Sequence, residues 1–339
     1  MPGTFRTVAI LAGSTAAAMV LTRLQREQDT IDFNGKVVMI TGGSRGLGLG
    51  LAEALARQGA KLAICARNAA GLDGARRHLE GLGSEVLAES CDVGSQEDVE
   101  RFVQRVRDRF GRIDILINNA GIISAGPFMN QQIDDFRLSM DTIYWGVVHA
   151  TFAVVSEMVE RGSGSIVNIT SIGGKLGVPH FTTYAAAKFA TVGFSEALTA
   201  ELAGTGVRVT TVVPGLMRTG SHRNALFKGQ HEYEYTWFSL GAALPGLSMS
   251  VPTAVERILS AVRRGDAVAM LDLKTHLATR IHGLMPGTTV TVLGLVNRLM
   301  PGPVPDGFEA RPGYKCETPV TQSFLTALGR DAARRYNQA

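Results

Sequence analysis

The sequence KVVMITGGSRGLGLGLAEALAR, residues 36–57, decides the fold of this chain. Its first part, Val37–Thr41, is an apolar and largely β-branched run. This predicts a buried strand of a parallel sheet, because such strands are covered on both faces. Its last part, residues 47–57, carries apolar side chains at helical spacing and predicts a helix with one apolar face. The stretch is therefore predicted to form a strand, a tight turn and a helix.

The turn between this strand and this helix contains three glycines, Gly42, Gly46 and Gly48. Residues without a Cβ let the backbone approach a ligand closely, and a helix N-terminus offers free N–H groups and the positive end of a dipole. Such a turn suits the binding of a pyrophosphate. A glycine turn that serves packing alone is the alternative at this point.

The composition is that of one large globular domain with extensions. The chain has 339 residues, 45% hydrophobic and 19% charged, and so can bury a sizeable core. Its formal charge of +4 comes from Lys and Arg scattered among Asp and Glu, which gives little support to nucleic-acid binding. Cys65, Cys91 and Cys316 form no Cys-x-x-Cys pair, so we expect reduced thiols, a reducing compartment and no metal site.

From residue 32 onward, strand-like apolar runs alternate with helical stretches. This alternation predicts an α/β fold, a single doubly wound parallel sheet with helices on both faces and a ligand site beyond the C-terminal strand ends. The later predicted strands are residues 61–66, 85–93, 113–118, 165–170 and 207–213. The later predicted helices are residues 68–81, 95–110, 133–161 and 182–203, the second opening with a capping box of Ser95 and Asp98.

Short motifs follow the glycine turn in a set order. After Thr41 and the spacing Gly-x-x-x-Gly-x-Gly come Asp92-Val93, Asn118-Asn119-Ala120-Gly121, and Pro214-Gly215 with Thr219. In order and separation these motifs resemble the short-chain dehydrogenase/reductase (SDR) family over residues 34–272. The resemblance implies the Rossmann-type fold and a nicotinamide dinucleotide cofactor.

The resemblance also implies which residues contact that cofactor. In the family the glycine turn holds the pyrophosphate, the Asp-Val pair holds the adenine, and the Pro-Gly segment closes over the nicotinamide. The implied cofactor-binding residues are Gly42, Ser44, Arg45, Gly46, Leu47, Gly48, Arg67, Asp92, Val93, Asn119, Ala120, Gly121, Tyr184, Lys188, Pro214, Gly215 and Thr219.

The end of the second predicted strand indicates which cofactor is preferred. An acidic residue there would bond the adenosine ribose and repel a 2′-phosphate, but the chain has Ala66 and then Arg67. Arg45, inside the glycine turn, is a second base. Because guanidinium groups form charge-assisted, often bidentate hydrogen bonds with phosphate, we expect NADP(H) to be preferred over NAD(H). The alternative is that both arginines are solvated surface charges.

Three residues predict carbonyl reduction or alcohol oxidation. Tyr184 and Lys188 are four residues apart and so share a helix face, and Ser171 precedes them at a predicted strand end. A phenol placed against the substrate oxygen can act as general acid, a neighbouring cation lowers its pKa, and a hydroxyl can donate to that oxygen. The resemblance implies these roles for Tyr184, Lys188 and Ser171, with the lysine also binding the nicotinamide ribose.

One position departs from the family pattern. The family usually carries an asparagine three residues before a glycine in the fourth helix, where it holds a water that links the lysine to solvent. This chain has the glycine, Gly146, but Ile143 in place of the asparagine. The proton relay is therefore in question.

Residues 217–250 lie where family members carry a mobile lid over the substrate. They are rich in aromatic and large apolar side chains: Phe227, Tyr233, Tyr235, Trp237, Phe238 and Leu240. This favours a hydrophobic substrate such as a lipid, acyl or polycyclic ketone or alcohol. Packing of the lid onto the core, or a subunit contact, is the alternative.

Both ends of the chain extend beyond the predicted catalytic domain, residues 31–272. In the N-terminal segment, residues 1–30, positions 7–22 are uncharged between basic flanks. They predict a membrane-associating or short anchoring helix, an apolar docked arm or, least favoured, a cleaved export signal. In the C-terminal extension, residues 273–339, helices are predicted after Pro286 and over residues 323–336. We expect these two helices to be membrane-surface elements, dimer elements, or elements packed over the active-site mouth or on the core.

Two functions remain. The first is an NADP(H)-dependent oxidoreductase that interconverts a hydrophobic carbonyl compound and its secondary alcohol. The second is a dinucleotide-binding, membrane-associated scaffold or sensor that has lost turnover through Ile143. Intact Ser171, Tyr184 and Lys188 favour the enzyme. We expect it to be a homo-oligomer, either free in the cytoplasm or attached to the cytoplasmic face of a membrane.

Overall fold

A seven-stranded parallel sheet lies at the centre of the described chain. The computed structural model describes residues 30–338, so the predicted apolar segment at residues 7–22 lies outside the described residues. The strands are β1 Val37–Thr41, β2 Lys61–Ala66, β3 Val86–Ser90, β4 Ile115–Asn118, β5 Gly164–Ile169, β6 Val207–Val213 and β7 Val268–Met270. Their order in the sheet, β7-β6-β5-β4-β1-β2-β3, confirms the predicted doubly wound Rossmann-type fold.

Helices cover both faces of the sheet. They are α1 Gly46–Ala56, α2 Ala69–Gly81, α3 Gln96–Phe110, α4 Ile133–Met140, α5 Gly146–Glu160, α6 Thr182–Glu201, α7 His231–Ala243, α8 Val251–Arg264, α9 Leu273–Leu284, α10 Pro286–Asn297 and α11 Ala327–Arg335. One apolar core packs α1, α2 and α8 against the sheet, and a second core packs α3 and α5 against the other face. In β1, Val38 and Ile40 belong to the first core and Met39 to the second. The strand is apolar throughout because both of its faces are buried.

The turn between β1 and α1 requires its glycines. Gly42 and Gly46 have φ values of +67 and +58, in the left-handed region that favours glycine. A Cβ on Gly48 would collide with the Gly42 carbonyl oxygen and lie 2.5 Å from Asn119 Nδ2. Helix α1 begins at Gly46, one residue before its predicted start. The glycine turn is therefore shaped both by backbone conformation and by close packing.

The helix predicted over residues 133–161 is interrupted. A π-helical turn, Asp141–Trp145, separates α4 from α5. Thr191 Oγ1 donates a hydrogen bond to the Ile143 carbonyl oxygen at 3.2 Å, so the adjacent helix α6 holds this wider turn. Of the described residues, only the stretch 133–160 is long and apolar enough to cross a membrane, and half of its most apolar window is buried inside the protein. A core helix passes the same test.

The capping box predicted at Ser95 is only half formed. Ser95 Oγ accepts a hydrogen bond from the Asp98 backbone N at 3.2 Å, as expected. The Asp98 carboxylate, however, accepts from the backbone N of Asp92 at 3.1 Å instead of returning to Ser95. Strand β3 ends at Ser90, earlier than predicted, so Asp92 lies in the loop that follows the strand. The Asp98 carboxylate therefore holds a loop that borders the candidate site.

The chain beyond β6 forms elements that were only partly predicted. Residues 217–250 contain α7, and helix α8, strand β7 and helix α9 were not predicted. The predicted helix after Pro286 is α10, and none of its residues is buried. The helix predicted over residues 323–336 is a 3₁₀ turn, Phe324–Thr326, followed by α11. After α11, Tyr336 returns to the core formed with α1 and α8.

Candidate active site

Two cavities meet at the C-terminal ends of the central strands. The first has a volume of about 230 Å³ and lies over the glycine turn. The second has a volume of about 410 Å³ and lies between the end of β6 and helices α6, α7 and α9. Tyr184 and Thr219 line both cavities. A molecule in the first cavity could therefore meet a molecule in the second beside the Tyr184 side chain.

Most of the predicted cofactor residues are brought together around the first cavity. Those that line it are Gly42, Ser44, Arg45, Leu47, Arg67, Asp92, Val93, Asn119, Ala120, Gly121, Tyr184, Lys188 and Thr219. Pro214, Gly215 and Ser171 line the second cavity. Gly46 and Gly48 line neither of the two, and they shape the turn from behind.

Hydrogen bonds join the glycine turn to the end of β4. Thr41 Oγ1 accepts from the backbone N of Asn119 at 3.0 Å and of Ala120 at 3.1 Å. Asn119 Nδ2 donates to the carbonyl oxygens of Thr41 at 3.0 Å and Gly42 at 3.1 Å. The cavity floor is therefore held by side chains from two adjacent strands. Asn119 was predicted as a cofactor contact, and it also has this structural role.

Arg45 and Arg67 form a cationic pair at the rim of the first cavity. Both are exposed, and neither makes a salt bridge within residues 30–338. Desolvation and then the like charge of Arg67 lower the pKa of Arg45. Two guanidinium groups that repel each other favour an anion between them. With the Cβ-free turn beside them, they fit the phosphates of a dinucleotide.

The three predicted catalytic residues lie close together. Ser171 follows β5 and its Oγ accepts from the Gly173 backbone N at 3.0 Å. Tyr184 and Lys188 occupy successive turns of α6, with Lys188 Nζ 5.7 Å from the centre of the Tyr184 ring. Lys188 Nζ donates to the Ile169 carbonyl oxygen at 2.8 Å. The end of β5 therefore positions both the serine and the lysine beside the phenol.

Burial is the main influence on the pKa values of Tyr184 and Lys188. It raises the pKa of Tyr184, and a hydrogen bond with Ser171 acts in the opposite direction. It lowers the pKa of Lys188 to about 8. The direction for Tyr184 is opposite to the one predicted from a neighbouring cation, because desolvation is the largest effect on the phenol. At neutral pH the phenol keeps its proton and the ammonium group is mostly charged.

A chain of buried polar side chains fixes α6 to the sheet. Asn118 Nδ2 donates to Asn168 Oδ1 at 2.9 Å, and Asn168 Nδ2 donates to Ser195 Oγ at 2.9 Å. Ser195 Oγ in turn shares a hydrogen bond of 2.7 Å with Thr211 Oγ1. This series of hydrogen bonds links β4, β5, α6 and β6. It fixes the position of α6, the helix that carries Tyr184, on the sheet. Sequence reasoning missed these contacts, because the residues are far apart along the chain.

Ile143, which stands where the family usually has asparagine, has an apolar and buried side chain. Ile143 is only 1% exposed and sits in the π turn. Its neighbour Thr142 lines the first cavity. The prediction of an altered proton relay therefore concerns a closely packed position beside the site.

Aromatic side chains form one wall of the second cavity. Phe181, Trp237 and Phe238 line it, with ring centres 5.4 to 5.9 Å apart. The buried Glu234 accepts from Trp237 Nε1 at 2.9 Å and contacts His180 Nδ1 at 2.8 Å, which holds the indole in place. The aromatic residues of segment 217–250 were expected either to contact substrate or to pack onto the core, and different residues fit each expectation. Trp237 and Phe238 line the cavity, whereas Phe227 and Tyr235 are buried in packing contacts.

Comparison with known proteins agrees with this geometry. The sequence profile of the short chain dehydrogenase family matches residues 36–228. The chain is 38% identical over 188 residues to a putative ketoacyl reductase of Streptomyces coelicolor, covering 55% of this chain and 72% of the relative. It is 35% identical over 246 residues to the putative oxidoreductase SadH of Mycobacterium tuberculosis, covering 71% of this chain and 88% of the relative.

A solved structure gives the same result. A variant of actinorhodin polyketide ketoreductase, crystallised with NADPH, is 32% identical to this chain and superposes with a TM-score of 0.63. The match covers 70% of this chain and 95% of that chain. The chain therefore belongs to the short-chain dehydrogenase family, and it is an oxidoreductase that uses a nicotinamide dinucleotide to interconvert carbonyl and alcohol groups.

Proposed function

We propose that the protein is an NADP(H)-dependent oxidoreductase that interconverts a hydrophobic carbonyl compound and its secondary alcohol, with Tyr184 as general acid and base. The observation that carries the proposal is the position of the Tyr184 phenol at the junction of the cleft over the glycine turn and an apolar cavity. Lys188 lines the cleft and Ser171 lines the apolar cavity, on either side of that phenol.

Each side chain has a separate task. The bound nicotinamide supplies or accepts the hydride. Tyr184, whose pKa is raised by burial, keeps its proton at neutral pH and donates it to the developing alkoxide. Ser171 Oγ accepts from the Gly173 backbone N, which orients its hydroxyl, and its proton can pass from the hydrogen bond with Tyr184 to the substrate oxygen. The charged Lys188 stabilises the phenolate that remains and binds the nicotinamide ribose.

The preference for NADP(H) is supported by the cationic pair of Arg45 and Arg67, since a 2′-phosphate would relieve their repulsion. Dissociation constants of NADPH and NADH, measured by calorimetry, test this preference. Arg67→Asp should weaken NADPH binding much more than NADH binding. Equal dissociation constants for the two cofactors in the unmodified protein would contradict the proposal.

An acyl, lipid or polycyclic substrate is supported by the aromatic wall of the second cavity and by its volume of about 410 Å³. The relative called a ketoacyl reductase makes the acyl class the first to test. A panel of ketones and secondary alcohols of increasing apolar area, followed by cofactor absorbance, should give kcat/KM values that rise with that area. A preference for small polar ketones would contradict the proposed substrate class.

Attachment to the cytoplasmic face of a membrane is supported by the hairpin of α9 and α10. Its exposed apolar side chains include Leu277, Ile281, Leu284, Val290, Leu295 and the following Leu299. Residues 273–300 contain Lys and Arg but no Asp or Glu, which suits anionic lipid headgroups. Helix α9 also lines the second cavity, so a lipid-soluble substrate could enter from the membrane surface.

Sedimentation with vesicles tests this attachment. Leu284→Asp combined with Leu299→Asp should weaken binding of the full-length protein to vesicles of anionic lipid, whereas Phe324→Asp, at an equally exposed apolar residue outside the hairpin, should not. If the double variant still binds vesicles but changes from oligomer to monomer, the hairpin is the interface of the predicted homo-oligomer.

A second candidate function is favoured by Ile143. In this alternative the protein binds the dinucleotide as a membrane-associated scaffold or sensor, and turnover is lost because the proton relay is impaired. Binding of NADPH without turnover of any ketone or alcohol in the panel, in both the parent and Ile143→Asn, would select this alternative.

A further inference from the structure

The last described residues lie directly on the glycine turn. The backbone N–H of Gly46, the first residue of α1, donates to the Tyr336 carbonyl oxygen at 2.8 Å. Asn337 Nδ2 donates to the carbonyl oxygens of Ser44 at 3.0 Å and Gly71 at 3.2 Å. The segment 336–338, which we call the tail, is therefore bonded to the glycine turn and to the first turn of α2.

The tail is anchored as firmly as a core element. Tyr336 is only 4% exposed and packs in the core beside α1 and α8. Asn337 has a φ of +54, an uncommon conformation for a residue with a side chain, and the Gln338 backbone N donates to the Ala333 carbonyl oxygen at 2.8 Å. Such a conformation is kept where the surrounding contacts enforce it.

Gln338 points into the first cavity. It lines that cavity and is only 8% exposed. Asn224 Nδ2 donates to Gln338 Oε1 at 2.8 Å and to its backbone oxygen at 3.0 Å, which fixes the orientation of the carboxamide. Gln338 Nε2 has no hydrogen-bond partner among residues 30–338, and an ideal Cβ on Gly46 would lie 2.5 Å from it. An oriented donor without a partner in the described part of the chain is thus held over the N-terminus of α1.

The position of this donor indicates its ligand. A helix N-terminus attracts anions, and in this fold the dinucleotide pyrophosphate is the anion that reaches the glycine turn. The Gly46 N–H already donates to the Tyr336 carbonyl oxygen and so is not available to a ligand. Gln338 Nε2 lies at the same place and offers a donor instead. Gln338 Nε2 faces the cavity without a partner among the described residues, and a phosphate oxygen would give it a hydrogen bond to a charged group, which is among the strong ones.

We propose that Gln338 is a cofactor-binding residue, whose carboxamide donates to the pyrophosphate of the bound dinucleotide, so that the C-terminal tail completes the cofactor site. This proposal rests on dinucleotide binding by the glycine turn and is independent of the substrate. The opposite arrangement, in which Gln338 blocks the site and must leave before the cofactor binds, predicts the reverse effect of its removal.

Two ligands separate these possibilities. Calorimetry should show that Gln338→Ala weakens NADPH binding at least about tenfold, since hydrogen bonds to charged groups are among the strong ones. Binding of adenosine 2′-monophosphate, which lacks the pyrophosphate, should be unchanged. Gln338→Glu should weaken NADPH binding further, because a carboxylate would face the phosphates. The control is Arg334→Ala, an exposed residue of α11 that should leave both affinities unchanged.

Three results would overturn the proposal. Unchanged NADPH affinity in Gln338→Ala would mean that the carboxamide makes no such contact. Tighter binding would mean that it obstructs the site. An equal loss for NADPH and adenosine 2′-monophosphate would mean that it only supports the turn. If the unmodified protein prefers NADH, the cofactor preference fails, and a comparison of NADH with adenosine, which lacks the pyrophosphate, still tests Gln338.

Discussion

Replacing Lys188 by methionine should stabilise the protein while destroying its activity. Burial lowers the pKa of this ammonium group from 10.5 to about 8, and its side chain is almost fully enclosed. At about 1.4 kcal/mol per pKa unit, the charged lysine costs about 3 kcal/mol of folding free energy at neutral pH. Methionine removes that cost together with the hydrogen bond to Ile169, worth about 1 kcal/mol. The expected net gain is about 2 kcal/mol.

The gain should depend on pH, with a sign set by the direction of the shift. Between pH 8 and 10.5 the unfolded chain keeps a proton that the folded chain has lost, so the parent protein becomes more stable as pH rises. The advantage of Lys188→Met should therefore be greatest below pH 8 and shrink by about 1.4 kcal/mol for each further pH unit. Urea unfolding of both proteins at pH 7.0, 8.0 and 9.5, followed by tryptophan fluorescence, measures this difference.

Lys175→Met is the matched control. Lys175 is a partly exposed lysine that pairs with Glu196, and its loss should change the free energy of unfolding by about 1 kcal/mol or less, without this pH dependence. The reasoning is refuted if Lys188→Met is less stable than the parent at pH 7, or if their difference stays constant up to pH 9.5.

Three further substitutions test the site. Tyr184→Phe should lower kcat by about 10² to 10⁴ while the Kd of NADPH changes little, because only the phenol hydroxyl group is lost. A kcat similar to the parent's would contradict the role of Tyr184 as general acid. Ile143→Asn should lower the free energy of unfolding in urea by about 2 to 4 kcal/mol, because it buries an amide in an apolar position. The same substitution should raise kcat only if the proton relay limits turnover. Gly48→Ala should lower dinucleotide affinity at least about tenfold, because its Cβ would displace Gly42; calorimetric affinity equal to the parent's would contradict the packing described for the turn.

The sheet could be predicted from sequence because its strands are buried on both faces. The bounds of β1, β2 and β6 agree with the prediction, since a run of mostly buried residues coincides with each strand. The predicted β3 extends past the C-terminal end of the strand at Ser90. Cys91 and Val93 are buried and resemble strand residues, but they lie in the loop that follows. The π turn at Ile143 could not be predicted, because it depends on a hydrogen bond from α6.

The candidate site could be predicted where one short motif carries several of its residues. The glycine turn, Asn119 and the group of Tyr184 with Lys188 are of this kind. Gln338 could not be found this way, because its place in the cavity depends on Asn224 and on the packing of Tyr336 far from the motifs. The direction of the Tyr184 pKa shift could not be predicted either. The spacing of Tyr184 and Lys188 places a cation near the phenol, but the extent of its burial is known only from the structure.

Transfer of deuterium tests the central claim most directly. NADPH deuterated at C4 of the nicotinamide, on either face in separate experiments, is incubated with the protein and a panel of apolar ketones, and the alcohols are analysed by mass spectrometry. We predict that one of the two labelled cofactors places a single deuterium on the carbinol carbon, and that Tyr184→Phe greatly reduces this product. Binding of NADPH with no labelled alcohol from any ketone would contradict the enzyme and favour the sensor.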